Sequence, residues 1–262
     1  MTKYEKDYDL YSVNRALSKR FLYDDEIRKL IRYSTQLIKK NDINGLILLI
    51  RLITGLEPNI ICALSWSKLV KNEIMGTTFY SLIISIELNN EGTRFVHFEK
   101  RESYIEFPIP SFLANILLEI KNSMFKEMPI KNEDYLKESS IIKGKDNIIN
   151  GQFEAYSPKK GYINNRNSLR KILKCDEDIL YVPNNKGGET ELNLAYYQGD
   201  IFRSNFEHLA KIYNDFDIDE INYLLRRKSY NVFSNNYCDY RNPYSQLKMY
   251  KMIEEMWRKY YD

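Results

Sequence analysis

Histidine and cysteine are scarce in this chain. Its 262 residues include two histidines and three cysteines. Cys62, Cys175 and Cys238 have no spacing typical of zinc ligands, and an odd number of cysteines cannot all pair with one another. His97, in a predicted strand, and His208, in a predicted helix, are interpreted as ordinary structural or surface residues. The sequence therefore predicts neither a metal site nor a bound cofactor.

Long apolar runs are also missing. The longest covers residues 43–60, and it is broken by Asn44, Arg51 and Glu57. Such a run is too polar to cross a bilayer, and the opening sequence MTKYEKDYDLY lacks the apolar core of a signal peptide. We therefore expect a soluble, intracellular protein with no membrane partner.

The chain has no large excess of charge of one sign. Its formal net charge is +3, which permits nucleic-acid binding without requiring it. The cations are nevertheless clustered in two stretches, one formed by Lys159, Lys160, Arg166, Arg170, Lys171 and Lys174, and the other by Arg226, Arg227 and Lys228. Either stretch is suited to lining a DNA groove, and the alternative for the first is a solvated helix face.

The apolar positions predict one mainly α-helical domain with a small antiparallel β-sheet. Helices are predicted at residues 24–40, 43–54, 111–126, 164–174, 201–214, 217–227 and 244–260. Strands are predicted at residues 79–88, 95–98 and 104–109. Asp24 is a candidate cap for the first helix, and Asp217 with Glu220 has the spacing of a capping box. Two polar stretches, 131–161 and 181–190, are predicted to be surface excursions.

Several motifs follow one another in a set order. They are RFLYDDEI at 20–27, TGLEPNIICALSW at 54–66, TRFVHFEKRESYIEFPIP at 93–110, DIFRSNF at 200–206 and INYLLRRKS at 221–229. In order and residue type they resemble the catalytic domain of the tyrosine recombinase (phage integrase) family. The stretch from Ser157 to Leu173 resembles, more loosely, a helix of the same domain. The resemblance implies an N-terminal extension at 1–19 and an integrase-like catalytic domain at 20–262, with a polar insertion at about 131–161.

The resemblance also implies roles for individual residues. Arg203 would bind the scissile phosphate, Lys100 would protonate the leaving oxygen, and Tyr237 would be the nucleophile. Arg227, in a slot where the family has histidine, would be a substitute hydrogen-bond donor. The partner implied is double-stranded DNA, and the DNA-binding candidates are Arg226, Lys228, Lys159, Lys160, Arg166 and Arg170. Alternatively, Lys100 is a charge that protects a hairpin edge, and Tyr237 is a packing residue.

The chain departs from the family pattern at positions that matter for cleavage. Glu57 stands in an arginine slot and Asp200 in a histidine slot, and each brings negative charge towards a phosphodiester. Arg227 can donate hydrogen bonds but cannot cycle a proton. Glu57 either pairs with a cation such as Arg203, where the phosphate would lie, or points into solvent.

Three functions follow from this pattern. The first is a recombinase-like DNA-binding protein with weakened or lost strand cleavage. The second is an active site-specific recombinase that uses Tyr237 with non-standard site residues. The third keeps the fold and replaces DNA by a protein partner.

The end of the chain carries an amphipathic stripe. Its apolar members are Leu247, Tyr250, Ile253, Met256, Trp257 and Tyr260. Their spacing predicts a helix over 244–260 with one apolar face. The family resemblance implies that this helix docks onto a neighbouring protomer in a homo-oligomer, and the alternative is that it closes the core of its own chain.

Overall fold

The computed structural model of the protein describes residues 22–89, 95–97, 104–127, 143–149, 152–155, 158–173, 179–183, 187–193, 201–214, 216–227 and 239–261. The helices of this part are α1 Asp24–Lys39, α2 Ile43–Thr54, α3 Pro58–Ile61, α4 Ser111–Glu127, α5 Pro158–Leu173, α6 Ile201–Tyr213, α7 Ile218–Leu224 and α8 Pro243–Tyr261. The strands are β1 Leu69–Ile74, β2 Thr77–Ile84, β3 Ile86–Leu88, β4 Phe95–His97, β5 Ile105–Ile109, β6 Lys143–Ile149, β7 Gln152–Ala155, β8 Ile179–Pro183 and β9 Glu189–Asn193. The structure is therefore mainly helical with a small antiparallel sheet, and this confirms the general class that the sequence predicts.

Helix α2 is the centre of the helical core. Every residue from Gly45 to Thr54 is buried, as expected for a helix that is apolar nearly all round. Helix α1 packs closely against it at Gly45, where a Cβ atom would lie 2.6 Å from the carbonyl oxygen of Ser34. Only glycine allows this approach of the two backbones. Among the described residues, no helix combines the length and the apolar composition that a membrane span needs.

The main sheet has three antiparallel strands in the order β1-β2-β5. Leu82 in the central strand lies opposite Leu69 of β1 and Phe107 of β5. Leu82 and Phe107 are fully buried, and the Phe107 ring centroid lies 5.6 Å from that of Phe206 in α6. One face of the sheet therefore packs on the helical core. Strand β1 was not predicted, because Leu69 is its only buried residue and its apolar signal is weak.

The remaining strands form two-stranded hairpins. The predicted strand 79–88 is divided, because β2 ends at Ile84 and β3 then pairs with β4. Hairpin β6–β7 lies in the predicted surface excursion 131–161, and β8–β9 overlaps the one at 181–190. The sequence predicts surface excursions at both places and does not predict these two hairpins. Strand pairing depends on main-chain hydrogen bonds, which polar sequences form as well as apolar ones.

One predicted cap and one predicted helix start are wrong, and one predicted capping box is confirmed. The cap of α1 is Tyr23, not Asp24, and its N–H donates to the Glu26 side chain at 2.8 Å. Helix α5 begins at Pro158 instead of residue 164, since proline is favoured in the first turn of a helix. The predicted capping box of α7 is present: the Asp217 carboxylate accepts from the Asp219 N–H at 2.9 Å, and the Glu220 carboxylate accepts from the Asp217 N–H at 3.1 Å.

Helix α8 packs against its own chain. The buried side chains of the stripe are Leu247, Ile253, Met256, Trp257 and Tyr260, together with Met249. The Tyr250 ring stacks on that of Phe79, with the centroids 4.7 Å apart. Glu254 accepts hydrogen bonds from the N–H and the hydroxyl of Ser111, both at 2.7 Å. The stripe thus packs against the chain's own core, which is the second of the two alternatives, and docking onto a neighbouring protomer stays a prediction.

Candidate functional site

Several of the sequence motifs meet around one cavity of about 240 Å³. Its lining residues are Gly55, Leu56, Glu57, Ile60, Glu87, Arg203, Leu225 and Arg226, and we call it the two-arginine pocket. These residues come from the turn between α2 and α3, from α3 itself, from β3, from α6 and from the end of α7. Segments that are far apart in the sequence thus supply two cations and two carboxylates to the same small space.

Gly55 brings the α2–α3 turn against α6. It ends α2 in the left-handed conformation, with φ at +66°. A Cβ atom there would lie 3.1 Å from the Arg203 Cα, from the Phe206 Cβ and from a methyl group of Leu225. The hydroxyl of Thr54 accepts from the Leu56 N–H at 3.2 Å and so stabilises the turn. The absence of a side chain at Gly55 therefore lets Arg203 emerge directly beside Glu57.

Arg203 forms an ion pair with Glu57. Its Nη1 atom lies 3.0 Å from Oε1 of Glu57, and its Nη2 atom donates to the carbonyl oxygen of Leu225. The Arg203 side chain is 16% exposed and that of Glu57 is 43% exposed. Of the two alternatives predicted for Glu57, the structure has the one in which it pairs with Arg203. Its carboxylate occupies the place where an anion bound to Arg203 would lie.

Arg226 forms the second ion pair of the pocket, with Glu87. The Arg226 Nη1 atom lies 2.9 Å from Oε2 of Glu87, which also accepts from the Asn59 side chain at 3.5 Å. The sequence does not identify Glu87 as a site residue. It stands between Ile86 and Leu88 in β3, and nothing in that alternation identifies a partner 139 residues away.

Arg227 is directed to a different partner. Its Nη1 atom lies 2.6 Å from Oε2 of Glu207 on α6, and it is not a lining residue of the pocket. Consecutive arginines at the end of α7 therefore have separate surroundings. Arg227, the expected substitute donor, is therefore not among the residues that line the pocket, whereas Arg226 is.

Tyr223 holds α7 in place against the sheet. Its hydroxyl accepts from the Glu106 N–H of β5 at 3.0 Å, and its ring lies 5.1 Å from that of Tyr240. Burial raises the pKa of Tyr223, so the phenol stays protonated at neutral pH. This anchor sets the position from which Arg226 reaches the pocket.

Most of the other candidate residues lie outside the part of the chain that the structure describes. Lys100, Asp200, Lys228 and Tyr237 lie outside the described residues. Lys159 is exposed in the first turn of α5. Lys160, Arg166 and Arg170 are further along α5, and their side chains lie outside the described part. Within the described residues, no group of three histidine, cysteine or acidic side chains is arranged to hold a metal ion.

No protein-family model matches this chain, and a search of curated proteins gives no significant match. The tyrosine recombinase fold and the roles of the site residues therefore stay predictions.

Proposed function

We propose that this protein is a recombinase-like DNA-binding protein in which strand cleavage is weakened or lost. Support comes from one observation above all. The motif at 54–66, the motif at 200–206 and the motif at 221–229, which the resemblance assigns to a phosphate site, all contribute residues to the two-arginine pocket. Sequence order alone does not require these segments to meet.

Weak cleavage is expected from the charges around Arg203. Cleavage of a phosphodiester needs preorganised donors for the non-bridging oxygens, and the loss of one such donor lowers a rate on the order of 10²- to 10³-fold. Here the Arg203 guanidinium already bonds to Glu57 and to the Leu225 carbonyl. The carboxylate of Glu57 adds repulsion at the position where negative charge would develop.

Arg227 does not compensate for this loss. Its guanidinium bonds to Glu207, outside the pocket lining, and arginine does not exchange a proton at neutral pH. A leaving oxygen would need a proton from another group. These contacts therefore favour a protein that binds DNA but cleaves it inefficiently.

Binding of DNA is compatible with the paired arginines. The side chains of Glu57 and Glu87 are 43% and 30% exposed, and ion pairs this close to solvent contribute only about 0–1 kcal/mol. A phosphate forms the same kind of charge-assisted hydrogen bond with a guanidinium as a carboxylate does, and phosphate binding also releases counterions from DNA. A backbone phosphate can therefore displace a carboxylate that swings out into water.

Two measurements on the full chain test this proposal. Fluorescence anisotropy with a labelled DNA duplex over a series of salt concentrations should show binding that weakens steeply as salt rises. Incubation with supercoiled plasmid, followed by denaturation, should trap no covalent protein–DNA adduct.

Replacing Arg203, Arg226 and Lys228 together by glutamine should weaken binding strongly, while the triple variant should retain its helical circular dichroism.

Other outcomes would favour the alternative functions. A covalent adduct that disappears in Tyr237→Phe would make the protein an active recombinase. Absence of salt-sensitive DNA binding in the wild type would overturn the proposal and favour a protein partner.

A further inference from the structure

Arg226 has an unusual backbone conformation for an arginine. Helix α7 ends at Leu224, and Arg226 follows with φ at +53°, in the left-handed region. Its N–H donates to the Tyr223 carbonyl at 3.1 Å, and the Arg227 N–H donates to the Asn222 carbonyl at 2.8 Å. This pair of hydrogen bonds is a Schellman motif, and Arg226 is at the position where glycine is strongly preferred.

The same hydrogen bonds would form with less strain if the residue were glycine. A Cβ atom is disfavoured in the left-handed region, and long side chains are uncommon there. The described part of the chain has two other non-glycine residues with positive φ, Asn41 and Met75. Asparagine tolerates this region, and Met75 is an exposed residue of the β1–β2 turn. Arg226 differs from both because it lines the two-arginine pocket.

Backbone strain at a pocket residue is a reason to ask what its side chain does there. The Arg226 guanidinium lines the same cavity as Arg203, and both are paired with half-exposed carboxylates. Two guanidiniums in one cavity are suited to a diester phosphate, since each is a permanent cation that carries several N–H donors.

We propose that Arg226 is a phosphate-binding residue of the pocket, which contacts the same DNA backbone phosphate as Arg203, and that its strained conformation is retained for this contact. The inference rests on the proposed function, because it identifies the DNA contact at that site. Glu87 acts as the counterion of Arg226 in the protein without DNA and moves aside when the phosphate binds.

The strain makes a specific test possible, because Arg226→Gly should weaken DNA binding without lowering the stability of the fold. Glycine relieves the left-handed backbone, so the variant should unfold at the same urea concentration as the wild type or a higher one. It should also bind a DNA duplex about tenfold more weakly or worse, which is the loss expected for one charged contact. The slope of log affinity against log salt should fall by about 1.

Met75→Gly is the matched control. It makes the same backbone change at another left-handed residue, one that does not line the pocket. Its affinity for DNA and its salt slope should equal those of the wild type. Arg226→Lys should keep the salt slope but lose affinity, because lysine retains the charge without the planar pair of donors.

Each outcome has a defined meaning. If the wild type binds DNA with salt-dependent affinity and Arg226→Gly binds equally well, this inference is overturned and the proposed function stands. If the wild type does not bind DNA, both are overturned. Should Arg226→Gly fail to fold, Arg226→Asn, which tolerates the left-handed region and removes the charge, must show the same loss of affinity or the inference fails.

Discussion

The guanidinium of Arg203 lies 3.0 Å from the carboxylate of Glu57, although the two residues are 146 positions apart in the sequence. This ion pair joins α6 to the turn between α2 and α3. With Glu57 43% exposed, solvent screening leaves the pair little to contribute to stability. Its main consequence is electrostatic, since it keeps a carboxylate where, under the proposed function, a phosphate would bind to Arg203.

Glu57→Gln should tighten DNA binding. The amide keeps the shape of the side chain and removes the negative charge that competes for Arg203. An exposed pair of this kind contributes up to about 1 kcal/mol, so we expect an increase in affinity of up to about fivefold. Anisotropy titrations with a labelled duplex at a fixed moderate salt concentration measure the change.

Glu119→Gln is the control for this prediction. Glu119 is exposed on α4 and is not a lining residue of the pocket, and its replacement changes the net charge by the same amount. An equal gain in affinity for both variants would show that the effect of Glu57 comes from overall charge, and it would count against a local role.

Gly55→Ala should destabilise the protein more than Gly76→Ala. Both glycines have positive φ, so each alanine carries the left-handed penalty of roughly 1–2 kcal/mol. A Cβ atom at Gly76 has nothing within 4 Å, whereas one at Gly55 meets α6 and Leu225 at 3.1 Å. The difference in urea-unfolding free energy between the variants isolates the contact with α6. Equal losses would mean that the turn and α6 move apart without penalty.

Trp257→Ala should lower stability by about 3–5 kcal/mol, the usual loss for a buried aromatic side chain. Trp257 is fully buried by its own chain, while Lys251 on the same helix is exposed and Lys251→Ala should have little effect. Because the contact is within one chain, the thermal midpoint of the wild type should not depend on protein concentration. A midpoint that rises with concentration would instead favour the oligomer implied by the family resemblance.

Asp24 should make the stability depend on pH. Burial raises the pKa of its carboxyl, but the hydrogen bond from Tyr260 and the charge of Lys259 outweigh this, and the net pKa is lower than usual. A lowered pKa stabilises the fold above the unfolded value of about 3.9, and this stabilisation is lost as pH falls through the folded value. Wild type should therefore exceed Asp24→Asn in unfolding free energy near neutral pH, and the gap should close in acid.

Tyr260→Phe provides the check on this assignment. It removes the hydroxyl that donates to Asp24 at 2.7 Å and leaves the ring in place. Urea unfolding near neutral pH and in acid measures the loss of unfolding free energy that Asp24→Asn causes. This loss near neutral pH should be smaller in the Tyr260→Phe background than in the wild type. If the gap has its full size, the Tyr260 hydrogen bond is not what lowers the pKa of Asp24.

The sequence by itself determined the features that depend on neighbouring residues. The buried helix α2, the helical stripe of α8 and the capping box of Asp217 with Glu220 all follow from periodicity or from contacts within a few positions. The mainly helical class with a small antiparallel sheet follows from the sum of these patterns. Strand β1 could not be predicted in the same way, because its alternation of exposed and half-exposed residues has no strong apolar face.

Only the tertiary structure decided which charges meet. Arg226 and Arg227 are adjacent and chemically identical, yet one reaches Glu87 on β3 and the other reaches Glu207 on α6. The backbone is left-handed at Arg226 and not at Arg227, and the packing of α7 against α6 brings Glu207 within reach of Arg227. The same holds for α8, whose apolar face predicts burial but not which surface covers it. Charge pairing and burial depend on distances between remote segments, and those distances are set by the packing of the whole chain.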